Sequence, residues 1–251
     1  MSLISDLRVL YHLTLTPIRG KSHSERLESF YSRQAHDYDS FRQRLLQGRQ
    51  QMWDLLPAPA GGVCVDLGGG TGANLEYLGE RLANFSKVYL VDLSPSLLKV
   101  ADERIAARGW SNVTTVEADA TTFTPAEQAD LVTFSYSLTM IPDWFAAIDQ
   151  ALRILKPGGT IGVVDFYVSR KYPESGRQRH SWLTQSFWPV WFGFDNVFPS
   201  RDHVPYLCRR FEQQSLVEAR ARVPFLPGSR VPYYIFVGTK PGSAEQDHTK
   251  L

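Results

Sequence analysis

The sequence has few cysteines, almost no net charge and no long apolar run, and each shortage excludes a class of protein. Its two cysteines, Cys64 and Cys208, cannot build the disulfide framework of a small secreted domain, so we expect a cytoplasmic location. A net charge of +1 provides no overall field to attract nucleic acid, which we do not expect as a partner. No apolar stretch approaches the roughly 20 residues of a membrane-spanning helix. Asp6 and Arg8 interrupt the first apolar residues without a cleavage pattern, so we expect no signal peptide.

Length and composition predict one domain with additions, because 251 residues that are 43% hydrophobic can bury a full core. We predict a helical cap over residues 1–56, since the run from Lys21 to Gln51 contains no proline. Residues 57–240 form the main domain, and residues 241–251 are a disordered tail. Residues 3–15 place their apolar side chains at helical spacing, which fits either a helix packed on its own domain or one lying on a membrane or partner.

The glycine-rich stretch Val63–Asn74 organises the rest of the chain. Its first three residues predict a strand buried on both faces, Asp66 follows near the end of that strand, and Gly68 and Gly70 let the backbone turn sharply into a helix. A plain turn would look similar, and Gly68, Gly70 and Ala73 also fit a dinucleotide-binding pattern. The acidic-x-G-x-G-x-G spacing resembles the first motif of the class I methyltransferases that use S-adenosylmethionine (AdoMet).

Acidic residues close the next two predicted strands as well. Asp92 ends the second strand, where a carboxylate can accept both hydroxyls of a ribose, or can merely cap the helix that starts near Ser94. Asp119 follows the third strand, Val113–Val116, and can accept a hydrogen bond from an adenine amine. Leu93 can offer the adenine ring an apolar face. The three strand ends together predict a nucleoside-binding cleft.

Alternating strands and helices predict a doubly wound, Rossmann-like α/β fold with a seven-stranded, mainly parallel sheet. An aromatic-rich insertion over residues 166–206 precedes the last two strands, which pair as an antiparallel hairpin. The remaining predicted strands and helices are Lys87–Leu93, Ser94–Arg108, Asp130–Tyr136, Trp144–Leu155, Thr160–Val164, Val217–Val223 and Tyr233–Thr239. The acidic first strand end, the turn Leu155–Gly159 and the closing hairpin are together typical of class I methyltransferases, and dinucleotide dehydrogenases lack this combination.

Several other segments resemble a narrower group within the class I methyltransferases. The cap segment Phe30–Arg42 with Leu45–Arg49, and the segments Ser137–Trp144, Phe187–Leu207 and Val231–Tyr234, resemble the betaine-lipid synthase methyltransferases, which are diacylglyceryl-homoserine N-methyltransferases. The resemblance covers residues 22–240. It implies AdoMet as cofactor, S-adenosylhomocysteine as product, and three methylations of the homoserine amine of a lipid headgroup. It also implies a location peripheral to the membrane, with an upstream aminocarboxypropyl transferase as a partner.

The predicted cofactor site combines the glycine loop, the strand ends and one residue of the cap. We assign to it Tyr38, Asp66, Gly68, Gly70, Asn74, Asp92, Leu93, Asp119, Ala120 and Ser135.

Methyl transfer is an in-line displacement, so the protein mainly aligns the two reactants and excludes water. An amine must lose a proton before each transfer; Tyr136 and Asp165 are the candidates to accept it, with His180 a weaker one and release to solvent the alternative. Tyr31, Tyr38 and Tyr136 could form an aromatic wall for the cationic groups, or simply pack in the core. We predict Tyr136, Asp165 and Tyr31 as the catalytic residues and no metal ion.

Substrate binding is predicted from charge and aromatic content. Arg42 and Arg49 lie about two helical turns apart and could bind a substrate carboxylate, or could form a solvated face. Trp188 and Trp191 belong to an aromatic run beside positive charges, which suits a surface that dips into lipid headgroups or accepts acyl chains, or else a lid packed on the sheet. Another headgroup such as phosphatidylethanolamine, a quinone precursor, and an AdoMet-binding module without turnover are the alternative functions.

Overall fold

A seven-stranded sheet forms the centre of the molecule in the computed structural model, which describes residues 25, 28, 45–193, 196–223, 226 and 228–242. The strands are β1 (Val63–Leu67), β2 (Lys87–Asp92), β3 (Val113–Glu117), β4 (Ala129–Ser135), β5 (Leu155–Phe166), β6 (Glu212–Arg222) and β7 (Arg230–Thr239). Their order in the sheet is β3-β2-β1-β4-β5-β7-β6. The predicted seven-stranded, doubly wound fold is therefore confirmed.

Strands β1 to β5 are parallel to one another, whereas β7 runs antiparallel to both β5 and β6. The strand order reverses between β1 and β4, and ligands of open parallel sheets bind in the crevice at such a point, beyond the carboxyl ends of the strands. The topology therefore brings the ends of β1, β2, β3 and β4 to one edge of the molecule.

Five α-helices flank the sheet in the described part of the chain: α1 (Arg49–Leu55), α2 (Pro95–Arg108), α3 (Trp144–Ile154), α4 (Trp182–Gly193) and α5 (His203–Arg210). The helix expected after the glycine loop is a 3-10 helix over Ala73–Asn84, which Gly79 interrupts with a φ of 55°. A second, short 3-10 helix spans Leu138–Met140. None of the described helices is long and apolar enough to cross a bilayer.

The strand expected to begin at Thr160 begins earlier, at Leu155. Ala129 pairs with Leu155 and Leu131 pairs with Thr160, so the Leu155–Gly159 turn is accommodated as an irregularity within the β4–β5 pair. Gly158 makes this possible because its φ of 73° is unfavourable for residues with a side chain.

Helix α1 packs directly on the sheet. Met52 and Trp53 are completely buried, and the Trp53 indole donates a 3.0 Å hydrogen bond to Oδ1 of Asn74 beside the glycine loop. The part of the predicted cap that the structure describes thus shares one core with the main domain. The tail predicted over 241–251 lies outside the described residues from position 243 onward.

The predicted insertion over 166–206 lies in the connection between β5 and β6, which carries α4 and α5. Phe166 stacks on Phe192 of α4, with 4.8 Å between ring centroids, and Tyr136 contacts the same Phe166 ring at 4.7 Å. The insertion is therefore anchored on the sheet close to the end of β4.

Cys64 is fully buried in β1 and does not form a disulfide, as predicted.

Candidate active site

A cavity of about 230 Å³ opens at the carboxyl ends of β1 to β4. It brings together seven of the residues that the sequence assigned to the site: Gly68, Gly70, Asp92, Leu93, Asp119, Ala120 and Tyr136. These residues come from four separate connections, and only the parallel order of the strands places them around one space.

Asp92 joins the glycine loop to the start of α2. Its Oδ2 accepts a hydrogen bond from the Gly70 amide at 2.9 Å, and its Oδ1 accepts one from the Ser94 amide at 2.9 Å. The cap of α2 is Ser94 itself, whose hydroxyl accepts from the Leu97 amide. Asp92 also lines the cavity, and a carboxylate offers about four acceptor positions to donors such as the hydroxyls of a ribose.

Asp119 lies across the cavity from the glycine loop, in the connection after β3. Among the described residues, the two hydrogen bonds to the Asp119 side chain, from the amide and the hydroxyl of Thr121, both use Oδ1. Oδ2 is therefore available to a donor such as an exocyclic amine. Leu93, Leu97 and Ile141 line the same cavity and provide the apolar surface that a planar ring requires.

A smaller polar chamber lies on the other side of the glycine loop, and Gly68 and Gly70 line both spaces. Its polar walls include Arg49, Asp66, Asn74 and Ser135. The Ser135 hydroxyl is buried and has no hydrogen-bond partner among the described residues. Buried hydroxyl groups normally have a partner, so this group is one that a bound ligand would satisfy.

The charges of this chamber have opposite signs. Burial raises the pKa of Asp66 to about 6, although hydrogen bonds from Thr133 and Asn74 and the nearby Arg49 guanidinium oppose the shift. Arg49 is only 7% exposed, and its guanidinium carbon lies 5.7 Å from the centre of the Tyr136 ring. One cation and one acid around a small space suit a zwitterionic group.

Tyr136 lines the larger cavity in a strained conformation. Its φ is 55°, which is rare for a residue with a bulky side chain. Its hydroxyl donates a 2.5 Å hydrogen bond to the carbonyl of Gln47, and burial holds its pKa well above the usual range. Such strain persists where the surroundings enforce it, commonly at functional sites, and here it turns the ring toward the cavity.

The two other candidate proton acceptors lie away from the cavity wall. Asp165 is fully buried and accepts hydrogen bonds from the amide and hydroxyl of Thr139 and from the Phe166 amide. Burial raises its pKa to about 7. Nδ1 of His180 accepts from the Ser169 amide, and burial lowers the pKa of this ring to about 4. Asp165 fixes the turn that carries Met140, a cavity residue, so its observed role is one of positioning.

The residues predicted to bind substrate are separated in the structure. Arg49 lies in the polar chamber, Trp188 is 4% exposed within the core, and Trp191 is half-buried and stacks on Phe187 with 5.7 Å between ring centroids. Three further predicted site residues lie outside the described residues: Tyr31, Tyr38 and Arg42. Within the described ranges, no cluster of three His, Cys, Asp or Glu side chains is arranged to hold a metal ion.

Sequence reasoning did not single out several residues that shape the cavity, namely Leu97, Met140, Ile141 and Pro142. The last three follow β4, so the general rule that sites form at strand carboxyl ends could have indicated them. Glu28 was also overlooked. Its carboxylate accepts from the Ser94 hydroxyl at 2.7 Å, directly beside Asp92, and no sequence pattern links these distant positions.

Comparisons with known proteins agree with this geometry. Residues 64–159 match the family described as "Methyltransferase domain". The chain is 29% identical over 150 residues to a ubiquinone/menaquinone biosynthesis C-methyltransferase of Hydrogenovibrio crunogenus, an alignment covering 57% of this chain and 59% of that protein. The chain spans 54–66% of the length of the curated relatives that it matches.

Two solved structures resemble the fold. A Haemonchus contortus phosphoethanolamine N-methyltransferase 2, bound to phosphomonomethylethanolamine and S-adenosylhomocysteine, gives a TM-score of 0.67 at 14% identity, covering 88% of this chain and 61% of that one. A Haloferax volcanii complex of the Trm112 activator with a putative methyltransferase gives 0.62 at 17% identity, covering 84% and 97%. Residues 64–159 therefore match the methyltransferase-domain family, and the sheet has the fold of these solved methyltransferase structures.

Proposed function

We propose that the chain transfers methyl groups from AdoMet to the amine of a lipid headgroup, with diacylglyceryl-homoserine as the acceptor that the sequence resemblance favours. One observation carries the proposal: Asp92 and Asp119 face a single cavity that shares its glycine wall with a polar chamber. AdoMet has the matching groups in the matching order, which are an adenine, a ribose, a sulfonium and an amino-acid tail.

Each part of this ligand has a counterpart in the chain. Asp119 and the apolar wall formed by Leu93 and Ile141 suit the adenine, and Asp92 suits the ribose diol. The chamber with Arg49 and Asp66 suits the carboxylate and ammonium of the tail. The Ser135 hydroxyl, which has no hydrogen-bond partner among the described residues, supplies a further donor or acceptor. AdoMet supplies an electrophilic methyl group on a positively charged sulfur.

The residues around the reacting centre would mainly orient it. The Tyr136 ring lines the cavity beside Gly68, where its face attracts the cationic groups present before and after transfer. The same ring excludes water from one side, and displacement then depends on alignment of donor and acceptor. A dedicated nucleophile is unnecessary.

An amine must be neutral to attack, so its proton has to leave. The Tyr136 hydroxyl already donates to Gln47, and Asp165 and His180 are buried away from the cavity wall. We therefore favour release of the proton to solvent. In that case the rate rises with pH through the pKa of the substrate amine, and Asp165→Asn leaves that pH profile unshifted.

Arg49 offers a test of the cofactor's orientation, because the chamber assigns it to the amino-acid tail and the sequence assigned it to substrate. We expect Arg49→Gln to lower the affinity for S-adenosylhomocysteine by about 10- to 100-fold, the loss of a charge-assisted hydrogen bond of about 1.5–3 kcal/mol. Affinity for 5′-methylthioadenosine, which lacks the tail, should not change. Calorimetric titration of both ligands measures the two effects. Equal losses for both ligands, or none for either, would contradict this assignment.

The function itself is tested by incubating the protein with labelled AdoMet and a total polar lipid extract, then identifying the labelled lipid by mass. We expect label on the amine of an amino-acid or ethanolamine headgroup. The second candidate is C-methylation of a quinone precursor, which the names of the curated relatives favour, and it would place the label on a ring carbon. Binding of S-adenosylhomocysteine with no labelled product from either class would indicate a module without turnover.

A further inference from the structure

Helix α4 presents an outward face that is apolar and strongly exposed. Trp182, Leu183 and Val190 are 76%, 68% and 66% exposed, and Phe187 is 45% exposed. The opposite side of the helix is apolar too, with Trp188 and Phe192 buried against the sheet. Exposed apolar side chains that lie together on one face commonly mark a contact surface, so this outer face is expected to contact something other than water.

Positive charge lies next to this face. Lys171 and Arg179 are exposed and flank the ring of Tyr172, at 5.3 Å and 5.9 Å from its centre. Neither forms an ion pair with another residue of the described chain. Tyr172 is itself 75% exposed. Exposed aromatic rings between cations are typical of surfaces that meet a lipid–water interface.

The segment that carries Lys171, Tyr172 and Arg179 is hydrogen-bonded to α4. The Ser169 amide donates to His180 Nδ1 at 3.0 Å, and the His180 amide donates to the Ser169 hydroxyl at 2.8 Å. Gln185, in the first turn of α4, donates to the His180 carbonyl at 2.9 Å. These hydrogen bonds hold the segment that carries the cations in place next to α4.

The other end of α4 connects to the rim of the cavity. The Val197 amide donates to the Phe192 carbonyl at 3.1 Å, and the Phe198 amide donates to the Thr139 carbonyl at 2.8 Å. Thr139 precedes Met140, which lines the cavity, and the Phe198 side chain is 58% exposed. Phe198 thus adds an exposed apolar side chain near the cavity rim.

We propose that the outer face of α4, formed by Trp182, Leu183, Phe187 and Val190, docks on an anionic lipid bilayer with Lys171 and Arg179 at the headgroups. The partner follows from charge and shape, because apolar side chains enter the interface while cations pair with anionic headgroups. The proposal rests on a lipid acceptor as the substrate. Docking this face would bring Phe198 and the cavity rim near the membrane that holds the acceptor.

Sedimentation of the full chain with vesicles tests the docking. We expect binding to vesicles of phosphatidylcholine with phosphatidylglycerol, weak binding to phosphatidylcholine alone, and weakening by salt. Leu183→Gln combined with Val190→Gln should lower the partition coefficient at least about 10-fold, since both exposed side chains would lose their apolar burial. Lys171→Gln and Arg179→Gln should each lower it about 5-fold, corresponding to about 1 kcal/mol per basic residue.

Phe145→Gln is the matched control, since Phe145 is 44% exposed on α3, whose buried residues belong to the core on the other side of the sheet. It should leave vesicle binding unchanged. The affinity for S-adenosylhomocysteine should be the same in all these variants. If the parent protein does not bind S-adenosylhomocysteine, the proposed function is refuted instead of the docking. Vesicle binding that is absent, or equal in parent and double variant, overturns the docking proposal. A dimer that only the double variant abolishes, without vesicle binding, would assign the face to a second copy of the chain.

Discussion

Replacing Asp92 by Ala should lower the affinity for S-adenosylhomocysteine at least about 100-fold. The carboxylate faces the cavity and is the group assigned to both ribose hydroxyls, and hydrogen bonds to a charged group are worth about 1.5–3 kcal/mol each. Its removal also leaves the amides of Gly70 and Ser94 without their acceptor, which loosens the glycine loop. Isothermal titration calorimetry at fixed salt measures the change directly.

Glu117→Ala is the matched control for this experiment. Glu117 pairs with Asp92 in register on the adjacent strand, is exposed, and is not among the residues that line the cavity. We expect its replacement to leave the affinity within about twofold. The heat stabilisation that bound nucleoside confers should disappear in the Asp92 variant and persist in the control. An Asp92→Ala protein that still binds within about fivefold of the parent would show that the ribose lies elsewhere.

The acids of the cavity were predictable because they depend on topology alone. A residue at the carboxyl end of a parallel strand reaches the same edge of the sheet whatever its neighbours are, so Asp92 and Asp119 could be placed together once the strands were identified. Asp66 follows the same rule but lies slightly deeper, fully buried against Thr133 of β4. Strand order, rather than side-chain detail, decides these positions.

Other features depended on packing that periodicity does not encode. Apart from Thr184–Ser186, helix α4 is apolar and its apolar residues fall on every side, so the sequence could not show that Trp182 faces outward while Trp188 faces the core. Arg49 lies in the polar chamber on a helix that packs against the sheet, where Trp53 of the same helix bonds to Asn74. The positive φ of Tyr136 is imposed by its surroundings, including the contact of its hydroxyl with Gln47, and no local pattern predicts it.

Gly68 should tolerate a side chain poorly. A Cβ at Gly68 would lie 2.5 Å from Cβ of Ser137, and φ is 70°. Ser137 cannot easily retreat because its hydroxyl donates to the Leu67 carbonyl at 2.9 Å. We expect Gly68→Ala to lower the free energy of unfolding by about 2–5 kcal/mol, combining backbone strain of about 1–2 kcal/mol with overpacking of about 1–3 kcal/mol. Binding of S-adenosylhomocysteine should fall below detection, because Gly68 lines both parts of the site.

Two further variants separate the steric clash with Ser137 from the backbone strain of a positive φ. Their effects are measured by urea unfolding and by ligand titration. Gly61 has a similar φ of 73°, but a Cβ there would meet nothing within 4 Å, so Gly61→Ala should cost only about 1–2 kcal/mol and leave ligand affinity intact. Adding Ser137→Gly to Gly68→Ala removes the clashing Cβ and should restore part of the stability and measurable binding. If Gly68→Ala and Gly61→Ala behave alike, the close approach of the glycine loop to Ser137 does not shape the site. Rescue by Ser137→Gly would instead tie the geometry of the cofactor loop to the residue that follows Tyr136.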